Sequence, residues 1–329
     1  MQLAVGDATD LAVRVLMRHG MPQRYAAMVA EHLVDAALSG HEFFSLARLP
    51  SIARVLRNRP PAGEIRVVRE TANSAFIDGG DNIAYAVSVI AIDKAIELCR
   101  KSGIAVVSAG NTWWSGRLAF YVERAARQGF IGMNCIHGAA RTAPHGGMER
   151  VLGTSPVALA FPSDDEPVIV DMAMSATNHG AANFAKSRGE KLPEGVAIDS
   201  EGRPTVDPEA ALNGAFLTWG GHRGYGISLA VQLLGMLAGT EPVINDDSRF
   251  GLFFLVIDPE TIMPGGQYRS HVSELRKTIQ ASRPAPGTEK VRLPGETSQG
   301  YRQRARHAGT AAVVQVDDEI YSRIQKLLS

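Results

Sequence analysis

Cysteine is nearly absent from this chain. Cys99 and Cys135, in 329 residues, make neither a disulfide framework nor a metal-ligand spacing, and each reads as a small core residue. There is no surplus of either charge: 34 basic residues balance 34 acidic ones, which argues against a nucleic-acid surface, since that needs a basic excess. No long hydrophobic run occurs. The longest, residues 227–237, is interrupted by Ser228, Gln232 and Gly235 and is too short to span a bilayer. The first residues, MQLAVGDATD, lack the basic start and apolar stretch of a signal peptide, so a soluble cytoplasmic protein is expected. Also missing are a P-loop and a G-x-G-x-x-G between a strand and a helix, the phosphate-binding signatures of P-loop and Rossmann domains.

What is present is globular: 45% hydrophobic and 21% charged residues, enough for one large or two modest domains. Residues 10–19 read as a helix stopped by Gly20. Pro22 opens a second, with Met28, Val29, Leu33, Val34 and Ala37 at helical spacing. Residues 47–56 continue helical, and NRPPAG (58–63) is a loop and a candidate boundary. Alternation at 65–68 and 75–77 predicts a hairpin. Helices at 85–101 and 118–127, closed by Gly103 and Gly129, alternate with strands at 104–107 and 130–136, the pattern of an α/β layer. A strand at 253–257, a loop to 266, a helix at 268–281 and a Pro-rich linker at 283–287 follow. Asp317 caps a last helix through Leu328. The expected fold class is α/β (mixed α+β): an αβ domain with a mixed sheet over 64–267, and a helical domain from 1–63 with 268–329.

The most informative stretch is 143–175, APHGGMERVLGTSPVALAFPSDDEPVIVDMAMS, two short apolar strands punctuated by glycine, proline and an acid. Strand ends of this kind form pocket walls. GGHRGYG (220–226) then opens an apolar helix, where glycines admit a ligand to the backbone and free N–H groups suit a pyrophosphate.

Six blocks in order, GHEFFS (40–45), NTWWSG (111–116), PHGG (144–147), LGTSP (152–156), DMAMS (171–175) and GGHRG (220–224), give the chain a resemblance to the type-2 malate/L-lactate dehydrogenase family. That family runs G-H-D-S-H-G, N-S-x-H-F-G, P-Y-G-G, L-G-T-N-P, D-M-A-x-S and G-G-x-K-G, and the likeness extends from about residue 38 to 309. KLPEGVAIDSEGRPTVDP (191–208) follows it too. The resemblance implies a non-Rossmann nicotinamide-binding domain and an NAD(P)-dependent oxidoreductase acting beside a carboxylate, on 2-hydroxy acids, 2-keto acids or cyclic imino acids. It also implies a homodimer with its active site near the subunit interface. Thr154, Ser155, Pro156, Asp171, Ser175, His222, Arg223 and Gly224 fall at positions near the nucleotide. Arg48 falls where the family keeps an arginine, whose guanidinium matches a carboxylate bidentately. The cofactor is NADPH or NADH; Arg188 and Lys191 could meet a 2′-phosphate or belong to a solvated loop.

Two departures bear on chemistry. The histidine of S-H-G is Phe44 here, and that of N-S-x-H is Trp114; those imidazoles are the family's candidates for protonating the reacting oxygen. His137, at the end of the strand at 130–136, is a candidate relocated acid, with His41, His145, His179 and His222 as further histidines. Asp171 either orients a donor or water at the reacting centre or caps a neighbouring turn. Phe44, Trp113, Trp114 and Trp219 read as an aromatic wall able to hold a cation, and Phe43 as core packing. An iminium already carries its proton, so the leading expectation is reduction of an imine, a cyclic imino acid among the options, with Arg48 on the carboxylate and Trp114 beside the cation. The alternatives are a 2-hydroxy acid dehydrogenase with a relocated acid/base, and a catalytically silent cofactor-binding homologue.

Overall fold

The computed structural model describes residues 1–309 and 312–328. Strand β1 (Gln2–Ala4) leads into helix α1 (Val5–Arg18), which begins earlier than its apolar spacing predicts. After a turn at Gly20 comes α2 (Gln23–Leu38), then two 3-10 turns over Glu42–Phe44 and Leu46–Arg48, and α3 (Leu49–Arg57). The hairpin expected at 65–77 is β2 (Arg66–Glu70) and β3 (Ser74–Ile83). Helix α4 (Ala84–Ser102) follows, ended by Gly103 in the left-handed conformation, whose N–H closes on Cys99 O.

Next come β4 (Ile104–Trp113), α5 (Ala119–Ala126), β5 (Ile131–His137), β6 (Val157–Phe161) and β7 (Val168–Met172). A small excursion carries α6 (His179–Arg188), β8 (Ala197–Ile198), α7 (Pro208–Asn213) and β9 (Ala215–Phe216). Helix α8 (His222–Gly235) then returns the chain to the sheet, and β10 (Gly251–Ile257) fills its middle. Helices α9 (Gln267–Ala281) and α10 (Glu296–Ala308), strand β11 (Val313–Gln315) and α11 (Asp318–Gln325) complete it. Asp317 caps α11 by accepting from Glu319 N and Ile320 N.

The main sheet has seven strands in the order β2-β3-β4-β10-β5-β6-β7. Only β3 and β4 pair in parallel, so the sheet is mixed. Its faces follow the two-residue period of a strand. On one face Ile136, Ala158 and Ile169 join α4, α5 and the N-terminal helices in a continuous core. On the other, Cys135, Val157 and Phe253 pack with Met174 and with Val231 of α8. The C-terminal segment splits. Helix α9 leans on the β6–β7 turn, where Ser273 Oγ accepts from Asp164 N, whereas α10 returns to α2 through Arg302 and Asp35.

One correction concerns Trp113. Strand β4 does not stop at Val107 but runs on to residue 113, which places Trp113 inside the sheet, 1% exposed, with its indole N–H donated to Asp81 O at 3.0 Å. Its ring is core, not pocket wall. Both cysteines are free and buried, and burial pushes the thiols up, to about 11 for Cys99 and about 12 for Cys135. Neither is a reactive thiolate.

Candidate active site

Three distant blocks meet through their backbones at the start of α8. Thr154 O accepts from Met174 N and Ser175 N, Met174 O accepts from Trp219 N, and Ser175 bridges Thr218. Ser155 is buried with a left-handed φ of 47°, a conformation asparagine or glycine adopts more readily, and it turns the chain into Pro156 and β6. His145 of the PHGG block faces His222 with ring centroids 6.1 Å apart. Gly224 is required by the turn itself, because a β-carbon there would lie 1.9 Å from Trp219 O. A second feature points to a ligand. The Ser175 hydroxyl is buried in this cradle without a hydrogen-bond partner, and His222 and Arg223 stand exposed on the first turn of α8, where N–H groups lack intrahelical acceptors. Trp219 is 61% exposed beside them.

Asp171 lies near the end of β7, the edge strand, and keeps solvent-exposed surface although protein crowds its carboxylate. Its Oδ2 accepts from Ala119 N at 2.8 Å, which ties β7 to the start of α5. Burial raises its pKa above the ordinary carboxylate range, while the Ala119 N–H and Arg117 act in the opposite sense. The capping reading of this residue holds for α5, whose first N–H it accepts.

Arg48 lies on the 3-10 turn after the GHEFFS block. Its guanidinium carbon sits 4.6 Å from the Trp114 ring centroid and 5.0 Å from that of Phe43. Its Nε is buried without a partner, and the buried Tyr85 hydroxyl is close enough for Arg48 to oppose the upward pKa shift that burial imposes on the phenol. Trp114 is half-buried at a φ of 41°, and Phe44 is half-buried with its ring at 5.1 Å from Phe43. Phe43, expected in the core, is 44% exposed and flanks the arginine. Its ring rests on α6 at Gly180, where a β-carbon would approach it to 2.3 Å.

That contact brings the start of α6 to the crevice, which sequence reasoning did not foresee. His179, the first residue of α6, feels Arg48, Arg141 and Arg150. Burial is the largest influence holding its pKa below the ordinary histidine value, and Asp247 partly offsets it. The usable signal was local: Asn178 is a helix cap followed at once by a histidine and a glycine.

His137 is not brought to this site. Its side chain belongs to the α8 face of the sheet, under Gly235 at the far end of that helix, whereas Asp171 faces α5. It is 1% exposed, with Nδ1 against Thr240 Oγ1 at 3.0 Å, and a β-carbon at Gly235 would come within 2.3 Å of its own. The alternation of the strand decides this, since a residue three places along β5 from Asn134 changes face.

Burial holds the His137 pKa down to about 4, and that of His32, packed among Tyr85, Phe120 and Tyr121, down to about 3, with Arg117 adding to the effect at His32. Unfolded histidines take up protons near pH 6.5 that the folded chain refuses. The stability contributed is therefore complete above pH 6.5 and is lost on acidification until the folded values are reached. At pH 5 the loss is about 2 kcal/mol for each residue. His137→Gln should make the fall in urea midpoint between pH 6.5 and 4 shallower and leave turnover intact. A hundredfold loss of turnover would return His137 to the chemistry.

Among the described residues no cluster of three or more His, Cys, Asp or Glu could hold a metal ion, and no helix is long and apolar enough to cross a membrane.

A family model described as malate/L-lactate dehydrogenase matches residues 3–325. The chain is 32% identical over 327 residues to an L-sulfolactate dehydrogenase of Methanocaldococcus jannaschii, covering 96% of this chain and 93% of that protein. It is 35% identical over 304 residues to a malate dehydrogenase of Pyrococcus horikoshii, covering 86% and 84%. The structure of a delta1-piperideine-2-carboxylate reductase from Pseudomonas syringae superposes with a TM-score of 0.90 at 26% identity, covering 99% of each chain.

Proposed function

This chain belongs to the malate/L-lactate dehydrogenase family and is an oxidoreductase, and we propose that it reduces a C=N or C=O bond adjacent to a carboxylate, with an imine, such as a cyclic imino acid, as the preferred substrate. One observation carries the reading: the arginine that faces the crevice is flanked by Phe43 and Trp114, with aromatic rings at both positions where a proton-donating imidazole would stand.

NADPH or NADH fits the residues present. Thr154, Ser155, Pro156, Ser175, His222, Arg223 and Gly224 would hold it, with Arg223 and the α8 N-terminus meeting its phosphates and the orphaned Ser175 hydroxyl gaining a partner. When bound, the nicotinamide supplies a hydride. Arg48 grips the carboxylate and so fixes which carbon faces the cofactor. The ring of Trp114 can lie beside the substrate as it does beside Arg48, with its negative face toward a cation. A ketone reduced at carbon must also gain a proton at oxygen, whereas an iminium is already protonated and leaves as a neutral amine. A site without imidazoles at 44 and 114 therefore suits the iminium.

The second reading, a 2-hydroxy acid dehydrogenase, is favoured by His179, whose position beside Gly180 and Phe43 makes it the histidine best placed to serve as acid/base. Titration with NADH and NADPH, followed by nicotinamide fluorescence, is expected to saturate with at least one of them. Absence of binding to either would leave a silent homologue. Paired assays with a cyclic imino acid and a 2-keto acid are expected to favour the imine. Faster keto-acid reduction, abolished by His179→Asn, would establish the second reading.

The assembly is proposed to be a homodimer. Helix α8 carries no charge beyond its first turn, yet Leu229 and Leu233, in line on one side of it, and Leu237 in the turn that follows are 41–60% exposed. An apolar stripe of that kind is normally covered. Light scattering should give a dimer for the native chain and a monomer for Leu233→Glu with Leu237→Glu; a monomeric native chain would overturn it.

A further inference from the structure

Around Arg48 the neighbouring side chains are mostly rings. Phe43 and Trp114 lie against the guanidinium, and Phe44 packs on Phe43. Phe43 rests on α6 at Gly180, and Phe184 stands one helical turn further along the same face of that helix, 52% exposed. The exposed surface of Phe43 and Phe184 is thus presented at the mouth, where a substrate's side chain would lie once its carboxylate is on Arg48.

The other cations nearby are engaged. Arg141 pairs with Asp247 at 3.3 Å, and Arg150 donates to three carbonyls at the end of α7, including Leu212 O at 2.9 Å. Arg117 is buried against Asp35, Lys186 pairs with Glu209 at 3.1 Å, and Arg188, over the Phe184 ring at 4.1 Å, has the Glu190 carboxylate at 4.0 Å. Malate and sulfolactate, named for the two sequence relatives, each carry two anionic groups. The second anion would here meet rings, and a charge pressed into such a wall without a counter-ion is costly.

From this arrangement we infer that the substrate of the proposed reductase is a monoanion with an aromatic or large apolar side chain: an aryl-substituted 2-imino or 2-keto acid, and not a dicarboxylate or sulfonated acid. Arg48 takes the single carboxylate. Phe43, Trp114 and Phe184 take the side chain. The inference rests on the site assignment made for the proposed function but does not require turnover, because recognition by these walls is a binding property.

The test uses two unreactive probes, phenylacetate and succinate, titrated into the whole protein by calorimetry with and without NADPH. Phenylacetate is expected to bind at least tenfold more tightly than succinate. Arg48→Gln should abolish both, and Phe184→Ser, an exposed helix position that threatens no core, should cut the preference to threefold or less; Trp114→His should act in the same direction. Equal or tighter binding of succinate, or no binding of phenylacetate, overturns the inference whatever the cofactor experiments give. A preserved preference with no hydride transfer to any acid would instead overturn the reductase reading and leave the aromatic subsite standing.

Discussion

Arg48→Gln is expected to lower kcat/KM for any carboxylate substrate by about 10²- to 10⁴-fold. Two charge-assisted hydrogen bonds are lost, each contributing roughly 1.5–3 kcal/mol, in a crevice where water competes poorly. Arg48→Lys should recover little of this. A flat guanidinium keeps its N–H edge available while resting against Phe43 and Trp114, whereas an ammonium has neither the fork nor the stacking surface. Nicotinamide fluorescence titration should be unchanged in both variants, because the cofactor residues form a separate wall at the start of α8. Loss of less than threefold in steady-state assays would remove Arg48 from the substrate site.

The second large effect is structural. Arg302→Met should destabilise the protein by about 3 kcal/mol or more, seen as a fall in Tm of roughly 4 °C or more. Arg302 is 8% exposed and pairs with Asp35 at 3.1 Å and with Glu123 at 2.6 Å. Asp35 also holds Arg117, and Glu123 also holds Arg127, which reaches Glu166 at 2.8 Å. Removing the arginine leaves a buried carboxylate at Glu123 and a half-buried one at Asp35 with half their compensation. Helix α10 also supports the substrate loop, since Ser298 Oγ contacts His41 Nε2 at 2.9 Å and the Tyr301 ring packs over Gly40. KM for the acid should therefore rise in Arg302→Met while kcat changes less. An unchanged Tm would show that the network is dispensable for stability.

Local signals made most elements legible. Gly103 ends α4 and Asp317 begins α11 because each supplies a conformation or an acceptor that a helix terminus needs, and these requirements are met within a few residues. The alternation of β2 and β3 and the apolar β5 and β10 were equally local. Misreadings occurred where a neighbour decided the outcome. Trp113 looks like loop because Gly110 and Asn111 interrupt the apolar run, yet pairing with Ile83 carries the strand through it. Phe43 looks like core by composition, and it is the fold of α6 onto it that leaves the ring at a crevice mouth.

The candidate site divides in the same way. The residue types for holding a nucleotide and a carboxylate, and the loss of imidazoles at positions 44 and 114, are properties of the sequence that no packing can change. Which residues share the crevice could be decided only by tertiary structure. Side chains alternate between the faces of a strand, so His137 was turned under α8 and Asp171 toward α5. His179 and Phe184 were drawn in because the close contact of Gly180 with the Phe43 ring sets where α6 lies.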